Sequence, residues 1–345
     1  EKVLIDEFDI LYENLKEKIN QDFPKRYDKL NFNYLYCYKE VIKKYKKLFE
    51  EYDVVIGYGL EGIYPLLAGK KFIAFEHGTL RNFPFQNDDL GLRALLSYKY
   101  ANGVIITNAD NIQAAKKLGL KNYLFIPHPI NESPLKLLSS MDYDNLYEKY
   151  NTDFIAFHPS RQHWERDIRH PDWEKGNDIF IEGFAKFVKE VNPKAKSIFI
   201  EWGQKVCDSK ELISHLGIEE NIIWIKPLHN YAMIRVILSS DVVADQFYLG
   251  AFGSTTPKAL MCGKPAMLYL DESLHEWCFD EMPPVLNTAK SEDVFSGLSK
   301  LYNDKNFAKK VSFESKNWYI KYHSNELIKE KLVEMIHKVL NSNEV

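Results

Sequence analysis

Three groups of residues have the types and spacing for chemistry on an anionic ligand. The stretch from Ser240 to Pro265, SDVVADQFYLGAFGSTTPKALMCGKP, reads as strand, glycine-containing loop, helix and exit turn. Val242, Val243 and Ala244 form the strand, and Gly250 and Gly253 loosen the loop. Thr255 or Thr256 caps a helix with Pro257 in its first turn, and Cys262-Gly263-Lys264-Pro265 closes it. Such a turn aims free N–H groups and the positive end of a helix dipole at whatever lies over the sheet, which favours a phosphate. An ordinary βα turn has the same outline. The second group is HPSRQHWERDIRHPDWEKGND, a long charged loop that delivers Arg161 and Lys175 ahead of a helix. A guanidinium fork and an ammonium point charge beside a helix start suit a diphosphate, although either cation alone reads more plainly as a solvated surface group. The third is EHGTLRNFPF. There His77 stands at the carboxyl end of a strand, where open α/β sheets bind ligands, and Gly78, Thr79 and Arg81 follow in the same loop.

A rival motif precedes the third group. DVVIGYGLEGIYPLLAGKKFIAFE places Gly57-x-Gly59-x-x-Gly62 after a strand and Glu76 at the end of the next one. That spacing fits a dinucleotide-binding turn with a carboxylate for the ribose hydroxyls, and it motivates a nicotinamide-dependent oxidoreductase as an alternative. Pro65 sits where the following helix should run, which weakens it.

The elements that must carry these residues alternate along the chain. Residues 1–50 are helical and polar. In YCYKEVIKKYKKLFEEYD the apolar positions fall on one face and the lysines largely elsewhere, the pattern of a core helix with a solvated basic face or of a helix lying on an anionic membrane. Strands are expected near Val54, up to Glu76, at Gly103–Thr107 and at Tyr123–Ile126, with helices between them. Pro127, Pro129 and Pro134 then interrupt the pattern, and the polar run Glu132–Asn151 marks a domain boundary. A second sheet restarts at Phe154–Phe157 and continues through Ser197–Glu201, Ile222–Ile225, Val242–Ala244 and Ala266–Leu270. A single long helix is expected from Trp318 to Leu340. The fold class is therefore α/β with two doubly wound, Rossmann-like domains facing across a cleft, residues 1–131 and residues 150–317.

Composition sets limits. At 345 residues, 45% hydrophobic and 14% aromatic, the chain can bury two cores, and a net charge of −4 gives no global attraction to nucleic acid. Cys37, Cys207, Cys262 and Cys278 are too scattered for a zinc site or a disulfide framework, which reads as reduced thiols in a cytoplasmic protein. No apolar run is long enough to span a bilayer. The chain opens on Glu1 rather than Met, so upstream sequence is expected.

HPSR, EKGND, FIEWGQ, SDVVADQF and the FG-x5-AL-x-CGKP segment resemble the C-terminal half of retaining glycosyltransferases with two Rossmann domains (GT-B), family 4. EHGTLRNFPF, the TNAD segment at Thr107–Asp110, and the MPPVLNTA and KYHS segments are similar to bacterial, surface-polysaccharide members. The resemblance implies that residues 1–131 are the acceptor domain, on which the helix 318–345 packs back, and residues 150–317 the nucleotide-sugar donor domain, in which Arg161, Lys175, Gly253, Ser254 and Thr255 hold a donor diphosphate and Trp224, Ile225, Pro227 and Leu228 line the nucleoside. His77 would face the donor sugar, with Gly78, Thr79 and Arg81 on the sugar or acceptor side. It implies no metal and no cofactor, a nucleotide-diphosphate sugar as substrate (UDP first), and a saccharide or lipid-linked acceptor. A cytoplasmic location follows, with a peripheral contact on the inner face of a membrane. The family's two glutamates, with seven residues between them, align with Gly250 and Lys258 here. Lys258 can add a third cation but cannot accept a ribose hydroxyl when charged, and Asp245 is a substitute carboxylate or a strand-end cap. A relative that binds nucleotide sugar or glycan without transfer is the corresponding alternative.

Overall fold

The computed structural model describes residues 7–138, 145–169 and 174–342. Parts of the expected linker (139–144) and of the basic loop (170–173) lie outside the described residues. The chain divides into two compact units, one ending at Pro127 and resuming at Ile328, the other running from His128 to Leu327.

The first unit opens with α1 (Glu7–Asp22), α2 (Pro24–Tyr27) and α3 (Lys39–Phe49). In α3 the lysines are partly neutralised: Lys39 bonds Asp9 at 3.1 Å, Lys43 bonds Glu40 at 2.8 Å, and Lys46 pairs with Glu7. The core elements follow as β1 (Val55–Tyr58), α4 (Ile63–Leu67), β2 (Phe72–Phe75), α5 (Asp89–Lys99), β3 (Gly103–Ile106), α6 (Ile112–Leu118) and β4 (Tyr123–Phe125). The strands are all parallel in the order β1-β2-β3-β4. A sheet that steps in one direction with right-handed crossovers puts every connection on the same face. A parallel sheet must nevertheless be covered on both. Because side chains alternate along a strand, Ile56, Ile73, Phe75, Ile105 and Leu124 share the second face, and they form a cluster with Ile328, Met335 and Val339 from a helix more than two hundred residues later.

The second unit contains α7 (Ser133–Leu138), α8 (Leu146–Lys149), β5 (Ile155–His158), α9 (Asn177–Glu190), β6 (Lys196–Ile200), α10 (Val206–His215) and β7 (Ile222–Ile225). It continues through α11 (Asn230–Leu238), β8 (Val242–Ala244), α12 (Thr255–Met261), β9 (Ala266–Leu268), β10 (Leu286–Asn287), α13 (Ser291–Asn303) and α14 (Lys305–Tyr322). Its six parallel strands run β10-β9-β8-β5-β6-β7, which is doubly wound and reverses direction between β5 and β8. The core is aromatic: Phe154, Phe180, Phe184, Phe187, Phe199 and Phe247 are buried together.

The helix expected over Trp318–Leu340 is in fact two. The α14 helix ends at Tyr322, and α15 (Asn325–Asn341) starts anew. His323, 2% exposed, is fixed by a 2.9 Å bond from its Nε2 to the His128 carbonyl. Asn325 N–H donates to Glu132, and Ser324 Oγ accepts from Leu327 N–H as an N-terminal cap. The α15 helix then supplies the cluster that covers the first sheet, and Lys71 Nζ donates to the Ser342 carbonyl at 2.7 Å.

Candidate functional site

In a doubly wound sheet the strand ends diverge where the order reverses, and ligands bind in that crevice. Here it lies at the carboxyl ends of β5 and β8, so the residues that follow them, Pro159–Arg161 and Asp245–Gln246, stand at its edge.

Asp245 ties this edge together. It is 5% exposed, and both its oxygens are occupied. Oδ1 accepts from Ser160 Oγ at 3.1 Å, while Oδ2 accepts from Thr256 N–H at 3.2 Å and Thr256 Oγ1 at 2.7 Å. Neither Thr255 nor Thr256 caps α12; that work falls to this carboxylate, from the neighbouring strand end. Asp245 therefore positions the loop rather than offering a free carboxylate to a ligand. Arg161 adjoins Ser160, Gln246 adjoins Asp245, and Thr255 adjoins Thr256, so three sequence-distant segments converge on one buried anion.

The two cations on these segments differ in state. Lys175 Nζ donates to Gln246 Oε1 at 2.5 Å, while its backbone bridges His163 O and Phe247 N at 2.8 Å each. Arg161 is half-buried, and its Nε has no hydrogen-bond partner among the described residues. Gly253 and Ser254 are exposed on the loop before α12. That helix has only seven residues, so its dipole is small, and the anion-binding capacity here rests on side-chain cations more than on the helix. Lys258 lies in α12, half-buried; burial lowers its pKa, and the Asp245 charge opposes the shift.

Behind this edge are groups that the sequence did not single out. His158, fully buried at the end of β5, meets the Ala244 carbonyl through Nδ1 and Asn177 Nδ2 through Nε2, both at 2.9 Å. A carbonyl only accepts, so Nδ1 carries the proton and Nε2 accepts from the amide. The ring is neutral, its pKa pushed down to about 4 by burial. Glu174, also fully buried, accepts from Glu165 N–H, Gly176 N–H and Arg169. Arg169 forks onto Asp178 at 3.1 and 2.6 Å. This network holds both described ends of the loop that carries Lys175. The HPSR and EKGND strings contained His158 and Glu174, but only their tertiary partners reveal what they do.

The expected nucleoside set is split by strand alternation. Trp224 packs into the α9/α10 side against Phe199, with ring centroids 5.1 Å apart. Ile225 and Leu228 instead line a cavity of about 220 Å³ that also involves α8 and α11. Pro227 is exposed just past β7.

In the first unit, His77 is exposed in a loop organised by Glu76, which is fully buried. The Glu76 carboxylate accepts from the N–H groups of Gly78 and Thr107, from Thr107 Oγ1 at 2.9 Å and from Asn108 Nδ2 at 3.1 Å. Thr79 Oγ1 bonds Tyr98 OH, and Arg81 Nε donates to Asp110 at 2.7 Å. Glu76 is thus committed to its own loop and not presented to a ribose. The three-glycine motif works as packing: a Cβ on Gly57 would lie 2.7 Å from Gly62 N, and one on Gly62 would lie 2.9 Å from the Phe72 ring. The helix after it, α4, has five residues. The committed Glu76 and the short α4 count against the dinucleotide reading, while the glycine packing fits either. A cavity of about 610 Å³ in this unit lies between α1 and the amino end of β2, away from the strand ends where His77 sits. Among the described residues no group of three or more His, Cys, Asp or Glu is placed to hold a metal ion.

Two parallel-sheet α/β domains of this kind define the GT-B glycosyltransferase fold. The Anabaena HepE structure in complex with UDP-glucose is similar at TM-score 0.64 and 16% identity over 86% of this chain and 81% of that one. Sucrose-phosphate synthase from Thermosynechococcus elongatus is similar at TM-score 0.61 and 10% identity, over 88% and 78% of the two chains. A Listeria monocytogenes structure named as a UDP-N-acetylglucosamine 2-epimerase is similar at TM-score 0.57 and 14% identity, over 89% and 80%. No family model matches the chain, and no curated protein matches it by sequence.

Proposed function

We propose that the protein is a retaining, metal-independent glycosyltransferase that moves a sugar from a nucleotide diphosphate, UDP first, to a hydroxyl of a saccharide or lipid-linked acceptor. The observation that carries this reading is that the Asp245 carboxylate ties Ser160 and Thr256, the chain neighbours of Arg161 and Thr255, to one strand end, where Lys175 bonds the adjacent Gln246. Fixed cations there offset the charge that grows on the departing pyrophosphate, with no reorganisation at the moment of reaction. The acceptor oxygen bonds to the anomeric carbon on the face the leaving group vacates. The bond to the β-phosphate oxygen breaks, and the acceptor proton passes to that oxygen, so retention requires no protein nucleophile. His77, Gly78 and Thr79 are assigned to the sugar and acceptor side, Arg81 to holding that loop through Asp110, and Pro227 to the base. Lys258 adds positive charge close to Asp245. The UDP and UDP-glucose bound by the HepE structures support a nucleotide sugar as the donor.

The test is UDP binding by titration calorimetry. Arg161→Ala and Lys175→Ala should each weaken affinity by roughly ten- to a hundredfold, the worth of a charge-assisted hydrogen bond. Unchanged affinity in both variants would remove the diphosphate assignment. Release of UDP from UDP-glucose only when an acceptor is supplied, unaffected by a chelator and with the anomeric configuration kept in the NMR spectrum of the product, marks transfer. Binding without turnover marks the non-transferring relative, and a changed donor sugar with no acceptor marks epimerisation.

A further inference from the structure

The outer face of α14 carries a pattern that neither the core nor the site uses. Its buried side is Val311, Ser315, Trp318 and Tyr322, spaced by three or four residues. The opposite side, at the same spacing, is Lys305, Lys309, Phe313, Lys316 and Ile320, with Lys310 and Lys321 at its margins. Phe313 is 68% and Ile320 56% exposed, although such side chains are ordinarily withdrawn from water. The helix holds five lysines and a single acidic residue, Glu314, which pairs with Lys310, and Lys321 at the margin pairs with Glu281 at 2.6 Å, so the charge of the face rests on Lys305, Lys309 and Lys316. Lys316 donates to the Met261 carbonyl at 2.6 Å, a neutral partner that leaves its charge intact, and among the described residues neither Lys309 nor Lys316 makes an ion pair.

We propose that this face docks the protein on an anionic lipid surface. The Phe313 and Ile320 side chains, two turns and about 10 Å apart along the helix, enter the headgroup region. The lysine stems lie along them and carry their ammonium groups to the lipid phosphates. A polyanion in solution would engage the lysines but would have no use for the two apolar tips between them, which favours a membrane. The inference assigns a surface to the peripheral membrane contact expected from the sequence, and its observations do not depend on transfer taking place.

Sedimentation with vesicles tests it. The full chain should pellet with phosphatidylcholine vesicles containing phosphatidylglycerol, and not with phosphatidylcholine alone. Phe313→Ser with Ile320→Ser, and separately Lys305→Glu with Lys309→Glu, should each lower partitioning by about tenfold or more. All four positions are exposed, so thermal melting and UDP affinity should stay at the parent values. Absence of binding by the parent, or equal binding by the variants, overturns the proposal. So does a concentration-dependent dimer that the apolar double variant abolishes, which would assign the face to a second copy. Vesicle binding without UDP binding would count against the transferase reading alone.

Discussion

Two imidazoles, His158 and His323, are sealed in the second unit, and burial pushes the pKa of each from 6.5 down to about 4. Below pH 6.5 the unfolded chain takes up a proton that the folded chain refuses until about pH 4. Stability therefore rises with pH across that window and is lost on acidification, by up to about 3 kcal/mol per histidine. Urea unfolding followed from neutral pH to about pH 4 should show this slope, and His158→Gln should remove about half of it while lowering stability at neutral pH. A parent protein whose unfolding free energy is level across the window would disprove the assignment. At this scale the sequence was only partly legible. Arg161 and Lys175 stood out by charge and position. The Asp245 carboxylate could be read either as a ligand group or as a cap, because the residues that decide, Ser160 and Thr256, are 85 and 11 positions away.

Among the elements, the loop between β8 and α12 shows why Gly250 stands where it does. Gly250, which the sequence resemblance sets against a glutamate of the resembled family, has φ +73°, and a Cβ there would lie 2.8 Å from Asp271 Cβ. The backbone at this point cannot carry a carboxylate without distortion. Gly250→Glu should lower the melting temperature, since a left-handed non-glycine residue costs about 1–2 kcal/mol before the clash is added. It should also raise no activity, and a stable, faster variant would show that this loop is built otherwise. The alternation of strands and helices was readable because buried parallel strands are short apolar runs between turns. Two details were not. The two-residue β10, just after Pro283-Pro284, is too short to show a period. The break between α14 and α15 is fixed by His128 and Glu132, which lie far from it in sequence.

For the molecule as a whole, the winding of the first sheet matters most. Its connections crowd one face, and α15 closes the other through Ile328, Met335 and Val339. Each such side chain is worth about 1.5–3 kcal/mol when buried, so the three approach the entire stability of a typical domain. A chain truncated after Ser324 should retain a protected second unit and show rapid amide exchange in β2 and β3. Protection of β2 and β3 in the truncated chain would mean that something else covers Ile73 and Phe75.

This arrangement also dictates an order of events on the ribosome. The sheet synthesised first has its strands ready early, yet it must wait with one greasy side bare until translation has passed residue 339. The later unit has all its parts by residue 327 and is free to fold ahead of it. Nascent chains stalled short of α15 should therefore be the ones that recruit chaperones.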